Sequence, residues 1–356
     1  MGQKLLGYEV IGKLGEGARS VIYAVQDPVT QKMYALKRVV RDEQKDIRFI
    51  EQMETEFEIS RQFNHPNLRR TYDLKINKSL LLKVTEAFLL MEYFDGKPLD
   101  QAPPRTTLEV LDTFIQVAQA LKYMHGLGYC HCDLKPNNIL RSDSGMVKVI
   151  DYGQSCKIGT IKERIQGTPD YIAPEQVDRK PISVQTDVYN FGATLYWALT
   201  GKNIPTKYTV KKGGEHSFLV DDRIDTPAQL NPKVPEAVSK LVMECIATRV
   251  SKRPADMDQV ITRLELGRHV LLKQMNPSAY SVELTPADLM DSGMFADPPS
   301  VTMDRPSQSG SAGGSGSAGG GDAGRGSEAG RGGDGGGAGD AGGSGGAGGS
   351  GTKSST

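Results

Sequence analysis

One short loop gathers three residue types that suit phosphoryl transfer: His131-Cys132-Asp133-Leu134-Lys135-Pro136-Asn137-Asn138. Asp133 offers a base for a hydroxyl proton, Lys135 a cation for an anionic oxygen, and Asn138 an amide oxygen for a hard metal ion. Moving a phosphoryl group asks a protein mainly for positioning and charge neutralisation, which such a set supplies. A second carboxylate follows in Asp151-Tyr152-Gly153, directly after the apolar run Val147-Lys148-Val149-Ile150. That spacing puts Asp151 on a tight turn at a strand end, where it serves either as a metal ligand or as an ordinary turn residue. Nearer the N-terminus lies Lys37, within Tyr34-Ala35-Leu36-Lys37, and Glu56. A buried Lys needs an anionic partner to stay charged, and Glu56 is the natural candidate. Gly15 and Gly17, in Leu14-Gly15-Glu16-Gly17, would let backbone N–H groups approach phosphate oxygens, although glycine turns between strands are common.

These residues need elements to hold them. Residues 8–25 read as a β-hairpin and 34–40 as a further strand. Between Asp46 and Phe63, apolar residues recur at helical spacing, and His65-Pro66 ends the run. Phe88 to Tyr93 reads as a buried strand before the turn Asp95-Gly96. From Thr107 the pattern changes to helices: 108–124, 184–199 and 235–246. A strand-rich small lobe with one helix therefore precedes a helical large lobe, an α+β chain with its crossover at Asp95-Gly96-Lys97-Pro98. The folded unit is expected over 8–268, with the small lobe about 8–95 and the large lobe about 96–268.

Composition bounds the rest. The chain has 356 residues and zero formal net charge, so the basic footprint of a nucleic-acid binder is absent. Residues 309–351 hold 23 of the 41 glycines, with Ser, Ala and a few charges. Such a stretch cannot bury enough apolar surface to offset its ordering entropy, so 309–356 reads as a disordered tail and 269–308 as a linker. Four cysteines and no signal-peptide pattern point to free thiols in a reducing, cytoplasmic setting. No apolar run reaches the ~18 residues needed to span a bilayer, and Leu6 breaks the myristoylation pattern that Met1-Gly2 begins.

Further motifs complete an ordered series: Gly167-Thr168-Pro169-Asp170-Tyr171-Ile172-Ala173-Pro174-Glu175, then Asp187-Val188-Tyr189-Asn190-Phe191-Gly192, then Arg253-Pro254. Across about 260 residues the chain resembles the eukaryotic-type Ser/Thr protein kinase family, in wording close to its bacterial branch. The resemblance implies a bilobal kinase-like fold and an ATP- and Mg²⁺-dependent enzyme that phosphorylates a protein Ser or Thr (EC 2.7.11.1), with autophosphorylation as one outcome. It implies that Lys37, paired with Glu56, holds the α- and β-phosphates, that Asp133 receives the substrate proton, and that Lys135 steadies the γ-phosphate. Asn138 and Asp151 would hold the metal. Gly15 and Gly17 would cover the phosphates, Val21, Ala35 and Leu140 would enclose adenine, and the backbone of Glu92 and Phe94 would bond it, with Met91 behind. Glu175 would pair with Arg253, and Asp187 would brace the catalytic loop. The alternative is a nucleotide-binding pseudokinase or scaffold, but every charged catalytic position is filled.

Three departures from the family pattern matter. Ser20 replaces the third glycine. Cys132 stands where relatives carry the Arg that binds a phosphate on the activation segment, which makes the chain a non-RD variant, and Cys156 takes a second position of that pocket. The two thiols read either as small fillers of an unused pocket or as a redox latch. Ser60 and Tyr152 fall where relatives make an apolar contact, and a hydroxyl–hydroxyl hydrogen bond between them is the expectation.

Overall fold

Alternating apolar residues separated by turns make nearly half of the first 92 residues strand. These are β1 (Lys4–Leu5), β2 (Tyr8–Glu16), β3 (Ser20–Gln26), β4 (Met33–Val40), β5 (Thr71–Lys78) and β6 (Val84–Glu92). In the computed structural model, which describes residues 3–17, 19–79, 83–210, 216–220 and 224–276, they form one antiparallel sheet in the order β1-β2-β3-β4-β6-β5. The linker from 277 and the Gly-rich stretch lie outside the described residues. The period of two places Ala35, Lys37 and Val39 of β4 on one face. Helix α1 (Ile47–Ser60) covers that face, burying Ile50 and Met53 against Ala35, Val39, Ala87, Leu89 and Met91. Glu56 continues the same buried stripe at the next three-residue step. A carboxylate is thereby carried into the apolar seam beside Lys37.

The large lobe is helical. Its elements are α2 (Thr107–Gly126), α3 (Pro174–Val177), α4 (Val184–Thr200), α5 (Pro227–Leu230), α6 (Glu236–Cys245) and α7 (Met257–Met275). Thr106 starts α2 by accepting the Glu109 N–H at 3.1 Å. The core runs between α2 and α4, where Phe114 and Phe191 meet edge to face at 5.4 Å. Short strands carry the loops of interest: β7 (Lys97–Pro98), β8 (Tyr129–Cys130), β9 (Ile139–Arg141), β10 (Val147–Val149) and β11 (Cys156–Lys157). They pair as β10-β9-β7 and β11-β8. A hairpin of β12 (Thr206–Val210) and β13 (His216–Val220) follows.

The lobes are stitched beside the crossover. Val149 N–H donates to the Asn67 carbonyl at 2.8 Å, Arg69 N–H donates to the Val149 carbonyl at 3.1 Å, and Lys148 Nζ lies 2.7 Å from Glu92 Oε1. The segment after α1 is therefore held by the strand that leads to Asp151.

Three elements differ from the sequence reading. Strand β5 is an edge strand that the sequence reading did not assign, although Leu74 and Ile76 alternate with Asp73 and Lys75 at period two. The β12–β13 hairpin was not expected. Helix α7 continues past 268 because Leu271, buried in the core, still belongs to its apolar face.

Glu175 at the start of α3 and Arg253 form a buried, two-pronged pair at 2.6 and 2.9 Å, and Arg253 also donates to the carbonyls of Gln185 and Ala247. Arg253→Met strands the Glu175 carboxylate and is expected to destabilise the fold by about 3–5 kcal/mol in urea unfolding. A loss below about 1 kcal/mol would contradict a structural role for the pair.

Candidate active site

The catalytic-loop conformation begins with Asp187 in the first turn of α4. Its carboxylate is fully buried and accepts three hydrogen bonds, from His131 N–H at 2.7 Å, Cys132 N–H at 2.8 Å and His125 Nε2 at 2.9 Å. Burial pushes the Asp187 carboxyl up, but the hydrogen bond and charge of His125, the charge of His131 and the Cys132 N–H outweigh it and hold the pKa below the ordinary value. Cys132 sits at φ 66°, in the left-handed region, a conformation that costs a side-chain-bearing residue about 1–2 kcal/mol. Gln176 Nε2 fixes the other side of that residue by donating to the Cys132 carbonyl at 2.8 Å.

Asp133 follows immediately, with both carboxylate oxygens engaged. Lys135 Nζ donates to Oδ2 at 2.9 Å and Thr168 Oγ1 donates to Oδ1 at 3.0 Å, while Lys135 also reaches Thr168 Oγ1 at 2.8 Å. Thr168 thus joins the segment before α3 to the catalytic loop. Its contact was not foreseen, although Gly167-Thr168-Pro169 was legible as a motif. Asn138 Nδ2 donates to the Asp133 carbonyl at 2.8 Å, which orients the side-chain amide and leaves Oδ1 as its acceptor.

A second set of charges closes over the first. Lys37 Nζ lies 2.7 Å from Glu56 Oε2 and 3.5 Å from Asp151 Oδ1. Burial pushes the Lys37 ammonium down, but the two carboxylates more than reverse this and raise its pKa, so it remains a cation. The Lys37 charge in turn lowers the Asp151 pKa against the effect of burial, with help from Lys135, His131 and Arg69. Glu56 Oε1 has no hydrogen bond, and Arg69, itself buried, stands 3.7 Å away as its second cation. Arg69 was not singled out from the sequence, because a lone Arg after a helix carries no spacing signal.

Asp151 also sits in the left-handed region at φ 65°, and its side chain is 42% exposed. Asn138 Oδ1 and the Asp151 carboxylate are hard oxygen donors, one neutral and one anionic, which is the donor chemistry of a magnesium site completed by water and phosphate. The residues fit that ion.

Around this centre, Gly15 and Gly17 lie at the β2–β3 turn, where Gly17 N–H donates to the Ser20 carbonyl at 2.7 Å. Ala35 on β4 pairs in register with Met91 on β6, both buried. Val21 lies on β3 and Leu140 on β9, from the two lobes. Glu92 N–H is bonded to the Arg70 carbonyl at 2.9 Å, and the Phe94 carbonyl accepts from Gly96 at 3.1 Å.

The expected Ser60–Tyr152 hydrogen bond is not formed. Ser60 lies 2.8 Å from Thr71 Oγ1 and bonds the Glu56 carbonyl one turn back. Tyr152 instead donates to the Val149 carbonyl at 2.6 Å and accepts the Arg69 N–H at 2.9 Å. Its ring packs edge-on between Phe63 at 4.9 Å and His131 at 5.7 Å. Nor do Cys130, His131 and Cys132 form a metal site, since the His131 ring is occupied by the Ile150 carbonyl and the Asp133 N–H.

Residues 8–263 match the protein kinase domain family. The chain belongs to the protein kinase family. Similar proteins include a probable serine/threonine-protein kinase of Clostridium acetobutylicum, 26% identical over 270 residues, covering 72% of this chain and 39% of the relative. The probable serine/threonine-protein kinase PknB of Lactococcus lactis is 26% identical over 269 residues, covering 72% and 41%. The serine/threonine-protein kinase PknD of Chlamydia abortus is 27% identical over 278 residues, covering 69% and 29%. The chain therefore spans well under half the length of these relatives. Among the described residues, no helix is long and apolar enough to cross a membrane.

Within this kinase domain, Tyr152→Phe removes a buried donor from Val149 while Arg69 keeps its bond to the same carbonyl. The variant is expected to lose about 1–2 kcal/mol of unfolding free energy. Unchanged stability would show that the Tyr152 hydroxyl contributes nothing.

Proposed function

We propose that the chain is an active serine/threonine protein kinase that uses ATP and Mg²⁺ to phosphorylate a protein hydroxyl. The observation that carries this reading is the closed triangle of Asp133, Lys135 and Thr168 beside the ordered pair of Lys37 and Glu56. A scaffold would not need all five polar side chains to converge. Their roles follow from their partners. Asp133 takes the proton of the acceptor hydroxyl as that oxygen attacks the γ-phosphorus. The bond from phosphorus to the bridging oxygen breaks, and ADP leaves with its electrons. Lys135, already oriented by Thr168, turns toward the γ-phosphate oxygens. Lys37, held as a cation by Glu56 and Asp151, binds the α- and β-phosphates. Asn138 and Asp151 would hold Mg²⁺, which would supply charge neutralisation at the phosphate oxygens. Val21, Ala35, Leu140 and the backbone of Glu92 and Phe94 form the adenine slot.

Thr168 also supports Ser/Thr acceptors, since it fixes the segment before α3 close to Asp133, where a short hydroxyl side chain would reach. Cys132 and Cys156 pack with Cys130 and Ile182 in a small apolar cluster. Neither thiol itself offers a cation to a phosphate, which supports control by something other than an activation-segment phosphate.

The test is transfer of label from γ-labelled ATP, with Mg²⁺, to a generic protein substrate and to the chain itself. Wild type is expected to transfer, and Asp133→Asn to lose about 10²–10⁴-fold in rate while still binding nucleotide. Nucleotide binding by wild type without transfer would favour a scaffold instead.

A further inference from the structure

Two of the four thiols are placed to react with each other. Cys132 Sγ and Cys156 Sγ lie 3.6 Å apart. Across the β8–β11 pairing the residue directly opposite Cys156 is Cys130, yet the Cys130 thiol turns away and donates to the Ser183 carbonyl at 3.3 Å. Cys245 is buried in the large-lobe core. Cys156 therefore has one available thiol neighbour, two residues along from its register partner.

The pair is asymmetric. Cys132 has no exposed surface. Cys156 is half-buried and lines a cleft of about 640 Å³ with Arg48, Lys162 and Arg164. A reagent from solution must reach Cys156 first. The hydrogen bond shared with the Cys132 thiol lowers the Cys156 pKa; burial opposes this and the Lys162 cation reinforces it. The same hydrogen bond, with burial, raises Cys132. The accessible sulfur is thus the one on which a thiolate is favoured, with the Cys132 sulfur in contact behind it.

We propose that Cys132 and Cys156 are a peroxide-reactive dithiol that closes to an intramolecular disulfide. The Cys156 thiolate attacks one oxygen of hydrogen peroxide, the O–O bond breaks, and hydroxide leaves, which gives the Cys156 sulfenic acid. Cys132 sulfur then attacks the Cys156 sulfur and displaces the sulfenic oxygen, which leaves as water with the Cys132 proton. The two thiols lose two electrons, and the peroxide is reduced to two waters. Bonding requires the sulfurs to close by about 1.5 Å. Cys132 is fixed by Asp187 and Gln176, so the two-residue strand β11 moves. The resulting ring runs from 132 to 156 and encloses Asp133, Lys135, Asn138 and Asp151. A disulfide here would fasten the segment after Asp151 to the loop that carries the catalytic carboxylate.

The test treats the reduced, native full chain with hydrogen peroxide, quenches with catalase, blocks remaining thiols under denaturing conditions, and maps peptides by mass spectrometry. Blockable thiols should fall from four to two, with a cross-linked peptide whose fragments place the bond between Cys132 and Cys156. Dithiothreitol should restore all four. Cys156→Ser should abolish the cross-link and leave Cys132 blockable, and Cys130→Ser should retain it. Should Cys130→Ser fail to fold, the wild-type fragment spectra alone decide the pairing. Four surviving thiols, a bond to Cys130, or Cys156 converted only to its sulfinic acid would overturn the proposal.

Discussion

The site depends on one buried carboxylate. Asp187 accepts the N–H groups of His131 and Cys132, two successive amides that no strand or helix satisfies. Buried amides without partners are costly, so a short loop that turns its backbone inward needs an acceptor of this kind. Holding both amides fixes the left-handed turn at Cys132, and that turn aims Asp133 toward Lys135 and Thr168. His125, at the end of α2, supplies the third donor and ties the acceptor to the large-lobe core. A strained loop is thus held by a rigid pair of helices.

The second constraint is electrostatic. Helix α1 inserts Glu56 into an apolar seam, where an unpaired carboxylate could not remain charged. Lys37 and Arg69 approach it from two sides, one from the sheet and one from the segment stitched to β10. Asp151, at the far end of that strand, adds its charge to Lys37. The position of α1 is in this way tied to the conformation of the turn at Asp151. Tyr152 reinforces the link by bonding the backbone of Val149 and Arg69. Sheet, helix and catalytic loop share a single chain of charges.

Much of this was legible in the residue order. Lys37 and Glu56 were read as partners because a buried Lys needs an anion, and they meet at 2.7 Å. The motif around Asp133 pointed to its chemistry, and the Glu175–Arg253 and Asp187 contacts follow positions that the family resemblance marked. What stayed hidden depends on long-range geometry. Arg69 and His125 belong to no local pattern. Thr168 stood within a readable motif, but its hydroxyl is set by a contact 35 residues away in the chain. Ser60 and Tyr152 were expected to bond each other, yet Ser60 bonds Thr71 and the Glu56 carbonyl while Tyr152 bonds the backbone of Val149 and Arg69. The edge strand β5 was legible as well, since Leu74 and Ile76 alternate with Asp73 and Lys75, but the sequence reading assigned no strand there.

The direct measurement of the central claim is amide hydrogen exchange at His131 and Cys132 in Asp187→Asn against wild type. An Asn presents one acceptor oxygen and turns its NH₂ toward a donor, so the two amides cannot both stay bonded. Exchange at one of the two positions at least should quicken by about 10–100-fold while the amides of β4 and β6 keep their protection. Unchanged protection at His131 and Cys132 would contradict the claim that this carboxylate holds the catalytic loop.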